Sequence, residues 1–348
     1  MQTIAWMGTK TTIIDIARQL RINPGTVSRA LNNHPAISES TKQAVRSVAR
    51  QLNYSQNKIA SSLRLGRSNI LGIIIPSAEI NFFGSVVHGI EKIANQRGYN
   101  ILIYQSNEES AQEEKGVETF LRSRVDGIMA SIAKETRSYD HFSEIKKRGV
   151  PLVLFDRADD NLGVPMVVID DYKGAYRATE HLIQQGCKRI AHIAAQQHIK
   201  IFADRMRGYT DALTAYGLPV LPELIVYGTV TIESGKECMR QLLNLPARPD
   251  GIFAVEDFTA LGAMQLMKEK KIKIPQEIAI IGFANEAFSS YITPSLSTFD
   301  QQTVKMGEHA ATLFFSLYKK SNFYEPPIAK VVLEPLPVFR ESSIKKSW

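Results

Sequence analysis

The 348-residue chain is 44% hydrophobic and 22% charged, a soluble globular composition, and is long enough for two or three domains. No apolar run approaches the ~20 residues of a membrane span. The first thirty residues also lack the ~7–15-residue apolar stretch of a secretory signal, so no membrane partner and a cytoplasmic location are expected. The formal net charge is +7, yet residues 1–70 hold ten Lys and Arg against Asp15 and Glu39, a net of +8 that leaves −1 for the rest. A compact basic head on a nearly neutral body calls for a polyanionic partner.

Residues 1–10 read as an N-terminal extension. Thr12-Ile13-Ile14-Asp15 then places a hydroxyl at a helix cap and a carboxylate three residues on. Ile13, Ile16, Ala17 and Leu20 follow at helical spacing. Arg21-Ile22 makes a tight turn, and Asn23 caps a second helix opening on Pro24, whose missing N–H costs nothing there and whose fixed φ suits a helix. Val27, Ala30 and Leu31 form the apolar stripe of that helix, which leaves Pro24, Gly25, Thr26, Ser28, Arg29 and Asn32 on its outer side. A third helix is expected from about Ser38, with Ala44, Val45, Val48, Ala49 and Leu52 on one face. Two short helices, a tight turn and a third helix describe a helix-turn-helix domain over residues 11–54.

The stretch TTIIDIARQLRINPGTVSRALNNHPAISESTKQAVRSVARQLNY carries D-I-A, T-V-S-R-A-L-N and L-N-Y at spacings that resemble the DNA-binding domain of the lactose-repressor (LacI/GalR) family. The resemblance implies double-stranded operator DNA as partner and puts the family's two most variable readout positions on Pro24 and Gly25. Neither side chain has a hydrogen-bond donor, so base discrimination falls to Arg29, which can grip guanine O6 and N7 in the major groove. Pro24 suits a thymine methyl, Gly25 admits close backbone approach, and Thr26 and Ser28 suit phosphates. Thr12 and Asn32 complete the expected set. The family often has glycine in the turn where this chain has Arg21. A left-handed residue other than glycine costs on the order of 1 kcal/mol, so a slightly altered turn is expected.

Residues 55–69 are polar and basic, with Ile59 and Leu63 spaced i, i+4 over roughly two helical turns, too short to be stable alone. The resemblance makes this linker the hinge helix, folding on the operator and wedging Leu63 into the minor groove, with Lys58 and Arg64 beside it.

From Ile70 the pattern becomes short apolar runs, from ILGIIIP to EIAIIGF, alternating with helix-period segments, which implies an α/β fold of parallel sheets. Arg124-Val-Asp-Gly-Ile-Met-Ala130 is echoed by Arg248-Pro-Asp-Gly-Ile-Phe-Ala254, so two similar lobes are expected, with a ligand cleft beyond the carboxyl ends of their strands. N-F-F at 81–83, F-D-R at 155–157, R-M-R-G-Y at 205–209, E-D-F-T-A-L-G-A at 256–263 and T-P-S-L-S-T at 293–298 resemble the same family's periplasmic-binding-protein-like core, residues 70–343, followed by a tail at 344–348. Carried over position by position, the effector site comprises Asn81, Phe82 and Asp156 from one lobe and Arg205, Glu256, Asp257 and Asn285 from the other. Arg205 leads, because a guanidinium forks onto hydroxyls, carboxylate or phosphate. Two departures stand out. Glu256-Asp257 replaces a common Asn-Asp pair, and Ala284 replaces an aspartate that often grips sugar or base, which counts against a simple sugar as effector.

These features imply a dimeric regulator controlled by a sugar, sugar derivative or other small polar metabolite. ESSIKKSW, after Arg340, is too short and polar for the coiled coil of a tetramer. No cofactor is implied. His192 and His198 lack metal-ligand spacing, Gly8-Thr-Lys-Thr-Thr12 lacks the leading glycine of a phosphate loop, and Cys187 and Cys238 read as reduced thiols. An enzyme would need a catalytic constellation that the sequence does not offer. A transporter's solute-binding protein, the main alternative, would need a signal peptide and no basic head.

Overall fold

The structure, a computed structural model, describes residues 11–54, 67–318, 320 and 322–345. Lys58, Leu63 and Arg64 of the expected hinge, the extension at 1–10 and residues 346–348 lie outside the described residues. The chain forms two compact units that divide between Ser68 and Asn69.

In the head, α1 is Ile13–Leu20, α2 Pro24–Leu31 and α3 Glu39–Gln51. Each starts on a local cap. Asp15 Oδ2 accepts from both Thr12 N and Thr12 Oγ1 at 2.8 Å. Asn23 Oδ1 accepts from Gly25 N at 2.7 Å, and Ser38 Oγ from Thr41 N at 3.3 Å. Ile16, Ala17, Val27, Ala30, Val45 and Val48 meet in a small core. Ala44, expected on the inner face of α3, is exposed. Lys42 is buried instead, its stem covering apolar surface while Nζ stays 3.3 Å from Glu39. Arg21 itself adopts the left-handed conformation (φ 53°, ψ 41°), and Ile22 N donates to Ala17 O at 3.0 Å. The turn therefore closes without the alteration its side chain led us to expect, and Arg21 carries the strain.

The larger unit is built from β1 (Ile70–Ile75), α4 (Asn81–Gln96), β2 (Asn100–Gln105), α5 (Ser110–Arg122), β3 (Gly127–Ala130), α6 (Asp140–Lys147), β4 (Leu152–Phe155) and β5 (Met166–Ile169). Then come α7 (Asp171–Gln184), β6 (Ile190–Ala194), α8 (Lys200–Ala215), β7 (Ile225–Tyr227), α9 (Ile232–Leu243), β8 (Gly251–Ala254), α10 (Asp257–Glu269) and β9 (Ala279–Ile281). The chain closes with β10 (Thr298–Asp300), α11 (Thr303–Leu317), β11 (Lys330–Leu333) and β12 (Leu336–Val338). The first sheet has the order β11-β5-β4-β3-β1-β2 and the second β7-β6-β8-β9, all pairs parallel. Helices cover both faces, as buried parallel strands require.

The echoed heptapeptides occupy matching places, β3 in the first sheet and β8 in the second. Their aspartates do the same work. Asp126 accepts from Asn69 N at 3.0 Å just before β1, and Asp250 from Lys188 N and Arg189 N at 2.9 Å just before β6. Gly127 allows α11 to pack, since a Cβ there would lie 2.1 Å from the Phe314 ring.

The chain crosses between lobes three times: at Asp170 before α7, at Gln301-Gln302 before α11, and at Glu334-Pro335 between β11 and β12. The last two are tied together by Gln302 Nε2 donating to Glu334 O at 2.7 Å. β10, β11 and β12 were not legible as strands. Each is short, and β10 and β12 pair antiparallel beside a crossover, with β10 otherwise joined to the second lobe by a single parallel bridge from Asp300 to Ala284.

Candidate functional site

On α2, the outer residues are those the periodicity placed there. Gly25, Arg29 and Asn32 are exposed, and Pro24, Thr26 and Ser28 half-buried. Asn23 spends its side chain on the helix N-terminus, which leaves Pro24 and Gly25 at the leading end. Asn32 Nδ2 donates back to Ser28 O at 2.9 Å, and Thr12 Oγ1 donates to Asp15. Those donors are therefore committed within the head. The two acids are committed as well. Asp15 lies 3.5 Å from Arg18, and Glu39 3.3 Å from Lys42 and 4.0 Å from Arg46. Thr12 holds the Asp15 carboxyl below its ordinary range, so it stays charged and paired. Arg21, Arg29 and Arg50 have no carboxylate partner among the described residues, so the head's surplus charge is free to meet phosphates or base edges.

In the larger unit a cavity of about 70 Å³ opens between the lobes. From the first lobe come Phe82 and Phe83 of α4, Lys134 after β3, and Asp156 and Arg157 after β4. The second lobe contributes Phe202 and Arg205 of α8, Glu256 and Phe258 around the start of α10, and Glu286; Gln301 sits at a crossover. The beginnings of α4, α8 and α10 all face this space because they follow β1, β6 and β8, whose carboxyl ends point into it.

Of the residues expected here, Phe82, Asp156, Arg205 and Glu256 line the cavity. Asn81 is exposed at the start of α4 and is not among the lining residues. Asp257 is fully buried, and its carboxylate accepts from Thr298 Oγ1 at 2.7 Å and Glu286 N at 2.8 Å, bracing the loop after β9. Asn285 donates to Asp300 at 3.0 Å and accepts from Arg340 at 2.9 Å, and so also serves the second lobe's own framework.

The charges at the cavity are mostly spoken for. Arg205 is 2% exposed; its Nε and Nη2 lie 2.8 Å from Asp171 Oδ1, Nη1 donates to Val255 O at 2.6 Å, and its guanidinium stacks 3.9 Å over Phe283. Burial pushes the Asp171 carboxyl up and Arg205 pulls it back, leaving it at about 7. Arg157 Nη1 lies 2.6 Å from Glu108, whose other oxygen is 3.4 Å from Lys134. Burial opposes this charge, yet Arg157 and Lys134 hold Glu108 below its ordinary range. Burial pushes Asp156 up, and Glu256 well up, the latter helped by the Asp257 carboxylate beside it. Asp156 takes φ 58°, a left-handed strain of about 1–3 kcal/mol that turns its side chain off the end of β4.

A head with this helix order joined to a two-lobed parallel α/β core has clear counterparts. Residues 12–57 match the profile of "Bacterial regulatory proteins, lacI family", and residues 68–314 that of "Periplasmic binding proteins and sugar binding domain of LacI family". The chain belongs to the LacI family. As a LacI-family member it is a DNA-binding transcriptional regulator, and the head profile disfavours the solute-binding alternative. The HTH-type transcriptional regulator RegA of Clostridium saccharobutylicum is 30% identical over 96% of this chain and 99% of its own. A solved complex of the transcriptional regulator CelR with cellobiose is 25% identical, with a TM-score of 0.72 over 95% of this chain and 99% of that one. The lac repressor dimer bound to operator and the anti-inducer ONPF shares the fold, with a TM-score of 0.87 at 21% identity over 97% and 100% of the two chains. Among the described residues no helix is long and apolar enough to cross a membrane.

Among the lining residues of this LacI-family cleft, sequence reasoning missed Phe83, Lys134, Arg157, Phe202, Phe258, Glu286 and Gln301. Phe202 and Phe258 had a signal: each lies within three residues of a lining residue that was named, on the first turn of the same helix. Lys134, Glu286 and Gln301 sit in irregular segments, where no periodicity marks a side.

Proposed function

We propose that this regulator binds a near-palindromic operator as a homodimer in the cytoplasm, acts as a repressor without catalysing a reaction, and answers to a small polar effector held between the lobes of its core. The observation that carries this reading is α2, which offers Arg29 to a major groove with no acid to neutralise it. Pro24 and Gly25 bring the helix end close, and Arg29 discriminates the base. Residues 55–69 form the hinge, with Leu63 in the minor groove and Lys58 and Arg64 beside it.

A dimer is supported by β2, an edge strand on which Leu102 is 42% and Ile103 52% exposed. An apolar edge of this kind is a liability unless a second copy covers it. Effector control is supported by the cavity's position, between lobes joined by three crossovers about which they can part. A ligand that binds the two lobe arrangements unequally shifts operator affinity by that difference.

The test is a salt-dependent operator titration of the full chain on a site found by footprinting. Affinity is expected to fall by about 0.9 log unit per log unit of salt for each phosphate neutralised, on two half-sites in one footprint. A flat salt response, or a single half-site occupied by a monomer, would contradict the reading.

A further inference from the structure

The cavity's charged lining is balanced in number but not in pairing. Lys134, Arg157 and Arg205 supply three positive charges, while Asp156, Glu256 and Glu286 on the lining, with Glu108 and Asp171 directly behind it, supply five carboxylates. The three cations are held by Glu108 and Asp171 at 2.6–3.4 Å. The lining carboxylates are held less completely. Asp156 accepts from Ser131 Oγ at 3.3 Å and lies 3.9 Å from Arg157 Nε; among the described residues Glu256 accepts from Phe258 N of its own helix, at 2.8 Å.

A second observation points the same way. Gln301 is 4% exposed and lines the cavity, and its Oε1 is buried without a hydrogen-bond partner among the described residues. A buried acceptor left in that state is destabilising, and a donor on a ligand would satisfy it. The one unmet donor on the lining among the described residues, Arg157 Nε, lies 3.9 Å from Asp156 Oδ2. The remaining walls are apolar, with Phe82, Phe202 and Phe258 among them, and aromatic faces attract a cation where water is excluded. An anionic ligand would meet these under-paired carboxylates, with the three cations already held by Glu108 and Asp171.

We propose that the effector carries a protonated amine, seated between Asp156 of one lobe and Glu256 of the other, with its apolar portion against Phe82, Phe202 and Phe258. This rests on the reading of the cleft as the effector site and assigns its chemistry. The ammonium donates to both carboxylates and so bridges the lobes, its charge displacing to solvent the proton that burial favours on Glu256, while a further donor on the ligand satisfies Gln301. A phosphorylated or carboxylated analogue of the same scaffold is rejected by the same groups.

The test is titration calorimetry on the full chain without DNA, using two matched triples: cyclohexanol, cyclohexylammonium and cyclohexyl phosphate, then D-glucose, D-glucosamine and D-glucose 6-phosphate. The ammonium member of at least one triple is expected to bind at least about tenfold tighter than both its mates. Glu256→Gln and Asp156→Asn should each bring it to within about threefold of the alcohol. Equal binding of the neutral member, tighter binding of the phosphate, or no binding by any member to the wild type would overturn the proposal. So would a preference that survives both substitutions. A neutral or phosphorylated probe that binds and changes operator affinity would leave effector control standing and remove only the ammonium. Ammonium binding that leaves operator affinity unchanged would keep the site's chemistry and remove the control.

Discussion

Two arginines show how differently the two units of this regulator are made. Arg29 stands on the exposed face of an eight-residue helix, capped by its own neighbours, with no carboxylate partner among the described residues. Arg205 is packed over Phe283 and bound to Asp171 and Val255 O, though it lines the effector cavity. The first charge is available to a polyanion. The second is already balanced, and its main service is to hold α7 against α8 at the cleft wall. Identity and position in a motif do not decide which role an arginine takes; the distance to the next acid does.

The comparison breaks most readily at Arg205. Arg205→Ala leaves Asp171 buried beside a cavity, and loss of one partner of a buried pair costs about 3–5 kcal/mol. We expect a melting temperature lowered by several degrees, with partial recovery when Asp171→Asn is added, as read by calorimetry. A core that melts unchanged would mean that Arg205 is free for ligand after all. Operator binding by the single variant is therefore a poor guide to effector contact. Glu256→Gln is the better probe.

In the head the expected effects are smaller and local. Asn23→Ala removes the cap at Gly25 N and should cost about 1 kcal/mol of head stability by chemical denaturation, leaving the core transition in place. A core transition that moves with it would show that the two units do not melt separately.

The smallest effect is a pH trend. The Glu256 carboxyl lies well above its ordinary 4.5, so the folded core holds a proton that the unfolded chain releases. That contribution is fully present below 4.5 and is lost as pH rises toward the folded value. Wild type and Glu256→Gln should then melt alike at pH 4, with the variant's advantage growing as pH rises. An advantage that shrinks with pH would mean that a cation already pairs with Glu256.

The head was legible nearly residue by residue because its signals are local. Thr12, Asn23, Pro24 and Ser38 announce helix starts within four residues, and the outer face of α2 follows from helical spacing. Ala44 failed because a long lysine stem at Lys42 covers the same surface, which a periodicity of apolar residues does not register. In the core the echo around Asp126 and Asp250 revealed two lobes, since the same strand entry is braced twice. The cleft itself is assembled from segments spread between Ile80 and Gln301. The family resemblance carried Glu256 and Asp257 over together, but consecutive residues at a helix start point to different sides, and Asp257 turns inward to Thr298. Gln301 could not be found at all, because what marks it is an unmatched oxygen that only packing creates.

The central claim is that an unpaired Arg29 reads sequence. Operator titrations of wild type and Arg29→Ala, across a set of sites with each half-site base changed in turn, test it most directly. The account predicts a loss of about 1–3 kcal/mol on the preferred site and a preference flattened at one base pair per half-site, with other positions read as before. Uniform weakening on every site would contradict it and reduce Arg29 to a phosphate contact.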